Sequence, residues 1–180
     1  MSPDDEQIAV AKNRKMYYRD IYTRLDYADA EYTELLRFDS DPEVQDRWCS
    51  RSIGLLRYAS EAVQIAAVRQ DGWRIYYVEN PSEAVKLAAV SQNGYAIANI
   101  KNPSEAVQLA AVRRSGYAIQ EIRNPSEAVK LAAVQENGFA IQFIEDPSEA
   151  VQLAAVLQDG RAIKYIRNPS EAVQRAAAAV

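Results

Sequence analysis

The stretch from Asn80 to Asn102 decides the fold, and it reads Asn-Pro-Ser-Glu-Ala-Val-Lys-Leu-Ala-Ala-Val-Ser-Gln-Asn-Gly-Tyr-Ala-Ile-Ala-Asn-Ile-Lys-Asn. The unit that follows Asn80 recurs at a spacing of 22 residues, and its copies begin at Ala59, Pro81, Pro103, Pro125, Pro147 and Pro169. The first copy has Ala in place of Pro, and the last is half a unit. Self-similarity at such a period is typical of solenoids, in which each unit packs on its neighbours.

Each unit carries the signals of an α-helix with a defined start and end. Asn80 stands directly before a Pro, which predicts an N-cap followed by Pro at the first helical position. Glu83 then falls at the third helical position, where its carboxylate can reach back to the cap N–H. Gly94 predicts the helix end, through the left-handed conformation that Gly adopts easily. We therefore expect one helix of about eleven to thirteen residues in each unit.

The residues after Gly94 predict a second, shorter helix. Ala96, Ile97 and Ile100 share one face at helical spacing, and the alternation of a strand is absent. The space before the next Asn suits a short α-helix or a 3₁₀ helix. The long helix is apolar on nearly all sides, including Ala84 and Leu87, which predicts burial between its neighbours. The sequence thus predicts an all-α fold, an α-solenoid of two-helix repeats.

A resemblance to known repeats rests on the pattern Pro-Ser-Glu-Ala-Val, Leu-Ala-Ala-Val and Asn-Gly-Tyr-Ala-Ile. This pattern resembles short all-helical repeat families of unknown function, found in phage, giant-virus and bacterial proteins. It is also similar to helical leucine-rich variant repeats in its period and its two-helix unit. The resemblance covers residues 59–180 and brings no catalytic motif. By analogy, it raises one concrete hypothesis for function, a small phage or viral inhibitor that occupies the surface of a host defence protein.

The chain divides into residues 1–57 and residues 58–180, which hold five full repeats and a C-terminal half repeat. We interpret residues 1–57 as an N-terminal helical cap, ending in a shorter, degenerate repeat from Glu43 to Arg57, because an open solenoid end needs a cover. Residues 25–46 also form an acidic segment, with eight acids against Arg37 alone. Its alternative role is to dock on a basic partner as a nucleic-acid mimic, and both roles stay open. The acidic residues concerned are Asp26, Asp29, Glu31 and Glu34.

Composition argues against several classes of function. The 180 residues include no His, one Cys (Cys49) and no Gly-rich phosphate loop, so no catalytic, metal-binding or cofactor-binding constellation is predicted and the protein is not expected to be an enzyme. The net charge of −4 lacks the basic excess of a nucleic-acid binder. No apolar run is long enough for a membrane span, and the N-terminus is acidic. We expect a cytoplasmic protein with no membrane contact.

Differences between the repeats indicate where a partner could bind. They concentrate on the second element, at the residue after Gly and at those three and four further on, which form one stripe per repeat. Stacking would align the stripes, and we call the resulting set the aromatic row. Its members are Trp73, Tyr76, Tyr77, Tyr95, Asn99, Tyr117, Glu121, Phe139, Phe143, Arg161 and Tyr165. Aromatic residues and Arg dominate interface energies. The aromatic residue after Gly could instead pack between repeats, and the sequence leaves that alternative open.

These observations predict a non-enzymatic repeat module that binds a protein through the aromatic row, as a scaffold, an adaptor or a stoichiometric inhibitor. The alternative is a nucleic-acid-binding solenoid, which would use basic residues at the helix ends and in the loops: Arg69, Arg113, Arg114, Lys101, Arg123 and Arg167. The Ala-rich C-terminal helix from Pro169 to Val180 offers an apolar surface, which predicts a homodimer formed there.

Overall fold

The computed structural model describes residues 53–180, with side chains from Leu56 onward, and this part of the chain is an α-solenoid without strands. Short 3₁₀ helices alternate with α-helices along it. The 3₁₀ helices are η1 (Ile53–Tyr58), η2 (Gly72–Tyr77), η3 (Gly94–Asn99), η4 (Gly116–Glu121), η5 (Gly138–Phe143) and η6 (Gly160–Tyr165). The α-helices are α1 (Glu61–Gln70), α2 (Glu83–Gln92), α3 (Glu105–Arg114), α4 (Glu127–Glu136), α5 (Glu149–Gln158) and α6 (Glu171–Ala178). The predicted fold class is confirmed.

The stack is built by contacts between consecutive units. Each α-helix packs against the α-helix of the next unit, and each 3₁₀ helix packs against the next 3₁₀ helix. The 3₁₀ helices η2 to η6 also pack on the α-helix of the unit that follows them. The final turn of the predicted degenerate repeat joins this stack as η1, where Leu56 is fully buried. The rest of the predicted cap, residues 1–52, lies outside the described residues.

Each interior unit contributes the same small side chains to one continuous core. In the second unit the buried residues are Val85, Ala89, Val90, Ala96, Ile97 and Ile100. Valine and alanine allow neighbouring helices to approach closely, and the core grows with the number of units instead of with their size. The expectation that the long helix is buried on nearly all sides is wrong in detail. Ala84 is exposed and Leu87 is half-buried, because only one side of α2 meets the core and a second side meets solvent.

The start of each α-helix differs from the sequence prediction. The N-cap of α2 is Ser82, not Asn80, and its Oγ accepts a hydrogen bond from the Val85 N–H at 3.3 Å. Glu83 is the first helical residue, not the third, so it cannot close a capping box. Both Asn and Ser can cap a helix, and the residue nearer to the helix is the one that does so. The helix is consequently 10 residues long, slightly shorter than expected.

The residue before each Pro turns the chain instead of capping the helix. Asn80 has a φ of 51°, and its equivalents have similar left-handed values: Asn102, Asn124, Asp146 and Asn168. Asn and Asp are the side chains that tolerate this region best after Gly. The backbone therefore reverses at Asn80 and reaches Ser82 in an extended conformation, with a ψ of 164°.

The glycines do not end the helices through a left-handed conformation, because none of those in the described chain has a positive φ. Their role is close approach. A Cβ on Gly116 would lie 2.5 Å from the carbonyl oxygen of Ala133, in the α-helix of the next unit. The equivalent distance at Gly72, to the Ala89 oxygen, is 2.6 Å. Glycine is needed at this position because the neighbouring repeat occupies the space of a side chain.

Two further sets of hydrogen bonds join consecutive units. The Ser that caps one α-helix donates its hydroxyl to the first Glu of the preceding α-helix, as Ser104 does to Glu83 and Ser126 to Glu105. This contact repeats along the stack from Glu61 to Ser170. The second set is less regular. The Gly72 N–H donates to Gln92 Oε1 at 2.8 Å, across one repeat boundary.

Candidate functional site

The 3₁₀ helices position the aromatic row because two features fix each of them. An Asp or Asn before the Gly caps the helix: Asn93 Oδ1 accepts from the Tyr95 N–H, and Asp159 Oδ1 accepts from the Arg161 N–H. A central Ile such as Ile97 then anchors the helix in the core. With the Ile inward, the second and last residues of each short helix reach the surface. Ser115 is the exception, since its side chain does not cap η4.

The described chain exposes few large apolar side chains, and most of them lie in the aromatic row. Seven large hydrophobic side chains are exposed among the described residues, and five of these belong to 3₁₀ helices. The five are Trp73, Tyr76, Tyr77, Phe143 and Tyr165. Tyr76 is the most open of them, with 70% of its surface exposed. The remaining two, Leu157 and Val180, lie outside the 3₁₀ helices.

The other members of the aromatic row are polar or are partly covered. Glu121 and Arg161 are exposed, whereas Asn99 is half-buried. Tyr95, Tyr117 and Phe139, the aromatic residues after Gly, are also half-buried. Trp73, in the same position of the first repeat, is 46% exposed. The row therefore has an aromatic end around η2, a polar middle at Asn99 and Glu121, and a second aromatic end on η5 and η6.

The second aromatic end is held together by ring contacts between neighbouring repeats. The Tyr117 ring meets the Phe143 ring edge to face, with 5.7 Å between their centroids, and Phe139 meets Tyr165 in the same way at 5.9 Å. The second residue of one 3₁₀ helix thus contacts the last residue of the next. Tyr117 and Phe139 therefore pack between repeats and remain partly exposed. In the first repeat Tyr76 and Tyr77 meet each other instead, at 5.2 Å.

The Trp73 ring is more exposed than its equivalents in the later repeats, Tyr95, Tyr117 and Phe139. The last residue of the following 3₁₀ helix is Asn99, a small polar side chain, where Phe143 and Tyr165 stand farther along the chain. No ring contact covers Trp73 among the described residues. An exposed indole beside two exposed phenols is the arrangement that binds an apolar group well.

The Arg161 side chain, on the last 3₁₀ helix, is held in a defined orientation. Its Nε and Nη2 donate to the two carboxylate oxygens of Asp159, at 3.0 and 2.6 Å, and its guanidinium lies 5.4 Å from the Phe139 ring centroid. The side-chain hydrogen bond from Arg161, followed by the Arg161 backbone N–H, lowers the pKa of Asp159. The same side-chain hydrogen bond raises the pKa of Arg161. A planar cation held over a ring is a preorganised contact surface.

The remaining predicted site residues are charged, and they fall into an acidic and a basic set. The acidic residues Asp26, Asp29, Glu31 and Glu34 lie outside the described residues. The basic residues at helix ends and in loops are exposed: Arg69, Lys101, Arg113, Arg114, Arg123 and Arg167. They do not form a continuous basic surface, because Glu79 and Glu145 occupy the loop position that Lys101 and Arg123 occupy in their own repeats. Arg114 additionally donates to the carbonyl oxygen of Ser91 at 3.1 Å.

Two features escaped the sequence reasoning. One is the diagonal ring contact between repeats. In the sequence it is indicated by an aromatic residue in the second position of one 3₁₀ helix and another in the last position of the next 3₁₀ helix. The other is an open groove of about 460 Å³ between α1 and α2. Its lining consists of Arg69, Ala84, Leu87, Ala88, Ser91 and Gln92. At this groove Ala84 is exposed and Leu87 is half-buried against the core.

Among the residues from 53 onward, no three carboxylate or thiol side chains lie close enough together to hold a metal ion, and no helix is long and apolar enough to cross a membrane. Comparisons of the chain with protein-family models, with curated proteins and with solved structures give no match. The resemblance to short helical repeats therefore stays a prediction from the residue pattern.

Proposed function

We propose that the repeats bind another protein through the aromatic row, and that the chain acts without catalysis as a scaffold, an adaptor or a stoichiometric inhibitor in the cytoplasm. The observation that carries this proposal is the segregation of exposed rings: five of the seven large apolar side chains open to solvent in the described chain lie on the 3₁₀ helices. Rings on a surface held by a rigid stack cost little entropy on binding, because their positions are already fixed.

The division of the row suggests how a partner is held. Trp73, Tyr76 and Tyr77 form one apolar anchor, and Phe143 and Tyr165 form another. The polar residues Asn99 and Glu121 lie between the anchors along the stack. Interfaces concentrate their energy in a few large side chains surrounded by weaker polar contacts. A partner with two apolar groups and a polar centre fits this order best.

The test is affinity capture with matched variants. The variant Tyr77→Ala, Phe143→Ala, Tyr165→Ala removes an exposed ring from each anchor, and we expect it to retain its helicity and to lose the partner. Leu157→Ala is the control, since Leu157 is an exposed apolar residue on α5 outside the row. If the triple variant captured the partner as well as the wild type does, the aromatic row would not be the binding site.

Nucleic-acid binding is the second candidate, and it is less well supported. Its supporting observation is the pair Arg113 and Arg114, both exposed at the end of α3. Binding that depends on phosphate contacts weakens steeply as the salt concentration rises. A titration with labelled DNA and RNA at low salt tests whether the chain binds nucleic acid. Binding that is lost in Arg113→Ala, Arg114→Ala would favour this candidate, and absence of binding at low salt would exclude it.

A further inference from the structure

The sequence contains two Asn–Gly steps, Asn93–Gly94 and Asn137–Gly138, at equivalent positions of two repeats. Their local structures match closely. Each Asn is extended, with φ and ψ of −144° and 111° at Asn93 and of −150° and 110° at Asn137. Each Oδ1 accepts the N–H two residues farther on, at 3.0 Å. The side chain is therefore folded over the following backbone in both places.

The two steps differ in what holds the glycine N–H. The Gly138 N–H donates to Gln158 Oε1 at 2.7 Å, across the repeat boundary. The residue equivalent to Gln158 in the unit after Gly94 is Arg114, which has no acceptor atom to offer. Arg114 donates to the Ser91 carbonyl instead. Within the described chain, the Gly94 N–H has no hydrogen-bond acceptor.

We propose that Asn93 is a site of spontaneous deamidation, and that the repeat boundary at Arg114 makes it more reactive than Asn137. Gly94 is buried in the folded chain, so the reaction takes place when this repeat boundary opens locally, which the missing hydrogen bond makes easier. In the open state the Gly94 nitrogen loses its proton to solvent base and attacks Cγ of Asn93. A Cγ–N bond forms, the Cγ–Nδ2 bond breaks, and ammonia leaves with a proton from water. Water then opens the resulting succinimide at either carbonyl to give Asp or isoAsp. Glycine allows this attack because it has no side chain to hinder the approach.

Charge acts in the same direction as the missing hydrogen bond. The reaction passes through an anion, first on the glycine nitrogen and then on the carbonyl oxygen under attack. The Arg114 guanidinium lies beside the last turn of α2, two residues before Asn93, and favours that anion. Asn137 directly follows Glu136, an exposed carboxylate that opposes it. Both differences therefore make Asn93 the faster site.

The two products would have different effects on the fold. Asp is compatible with this position, because Asp71 and Asp159 occupy it in other repeats and accept the N–H of Trp73 and Arg161. The isoAsp product adds a methylene to the main chain between α2 and η3. That change displaces Tyr95, whose N–H is bonded to Asn93. The proposal is independent of the proposed function, since it concerns a reaction of the chain alone.

The experiment follows both sites in one molecule. The purified full chain is kept at mildly alkaline pH, and peptide mapping by mass spectrometry measures the deamidated fraction at Asn93 and at Asn137 over time. We expect Asn93 to react about fivefold faster, the factor expected for the loss of one ordinary hydrogen bond. Equal rates at the two sites, or a faster reaction at Asn137, would overturn the proposal.

Two reciprocal variants test the cause. Arg114→Gln supplies the missing acceptor, and we expect the rate at Asn93 to fall to that of Asn137. Gln158→Arg removes the acceptor at the other site, and we expect the rate at Asn137 to rise. Circular dichroism checks that each variant stays folded. If neither exchange alters the ratio of the two rates, the glycine N–H does not control the reaction.

Discussion

At the scale of single residues, a close contact with the next repeat or a local backbone conformation decides which side chain is allowed. Gly116 is required by a carbonyl oxygen of α4, and Asn124 by a left-handed turn before its Pro. The requirement at Gly116 is not visible within one unit taken alone. The sequence nonetheless marks both positions, because Gly and Asn are the residue types that suit close approach and positive φ. The positions could be predicted, but the reason for each could not.

Gly116→Ala should destabilise the solenoid by about 1–3 kcal/mol, because the added methyl group meets the Ala133 carbonyl oxygen at 2.5 Å and the backbone must shift. Urea denaturation followed by circular dichroism measures the change in free energy of unfolding. Ser91→Ala, an exposed substitution on α2, is the control and should stay within about 0.5 kcal/mol of the wild type. A neutral Gly116→Ala variant would contradict the close approach.

Arg161→Ala should raise the pKa of Asp159 toward its ordinary value of 3.8, because the side-chain hydrogen bond from Arg161 is the largest cause of its depression and only the backbone N–H bond remains. A carboxylate whose pKa is lower in the folded than in the unfolded state stabilises the fold fully at pH values above the unfolded-state pKa. That contribution is lost as the pH falls through the lowered folded-state pKa. An NMR titration of the Asp159 carboxyl carbon measures the change. Arg161→Lys, which keeps the charge, should show a smaller rise.

At the scale of helices, the Ser–Glu contact links the start of one α-helix to the start of the next. The sequence predicted the start of each α-helix to within a few residues of its observed position. It assigned the N-cap to Asn instead of Ser, and it gave Glu a hydrogen bond to the cap of its own helix. Several good cap residues stand together there, and pattern alone does not choose between Asn80 and Ser82. The partner of Glu83 lies in another unit, so no local rule could find it.

Ser126→Ala should destabilise the fold by about 1 kcal/mol, because α4 loses the hydroxyl that accepts the Val129 N–H. The same hydroxyl donates to Glu105, so Ser126→Ala and Glu105→Ala, which removes the acceptor, should be coupled. A double-mutant cycle on the free energies of unfolding measures that coupling. Purely additive effects would mean that the contact between the two units contributes nothing to stability.

At the scale of the whole molecule, stability is shared between units that touch only their neighbours. Each unit buries small side chains, and the contacts that join units recur at the same positions. The period made this architecture predictable from the sequence. The role of the aromatic row stays a prediction, and the sequence did not predict the diagonal ring contacts within it. They depend on how far one unit is displaced along the next, which the order of residues within a unit does not specify.

Val129→Ala should lower the free energy of unfolding by about 2 kcal/mol, because Val129 is fully buried and its loss leaves a cavity. The damage should stay local in a stack of this kind. Hydrogen exchange is expected to quicken in α4 and in its neighbours α3 and α5, and to change least in α1. Leu157→Ala, at an exposed position, is the control. Equal acceleration in every helix would indicate a single cooperative unit instead.

The Ser–Glu contact also sets how the length of this protein could change. Every unit presents a Ser hydroxyl to the preceding unit and a Glu carboxylate to the following one. A duplicated unit inserted between two existing units could therefore form the Ser–Glu hydrogen bond at both of its boundaries. Gain or loss of a 22-residue block therefore creates no foreign junction. Recombination between such near-identical segments could adjust the reach of the molecule in fixed increments, adding or removing one set of surface rings at each step.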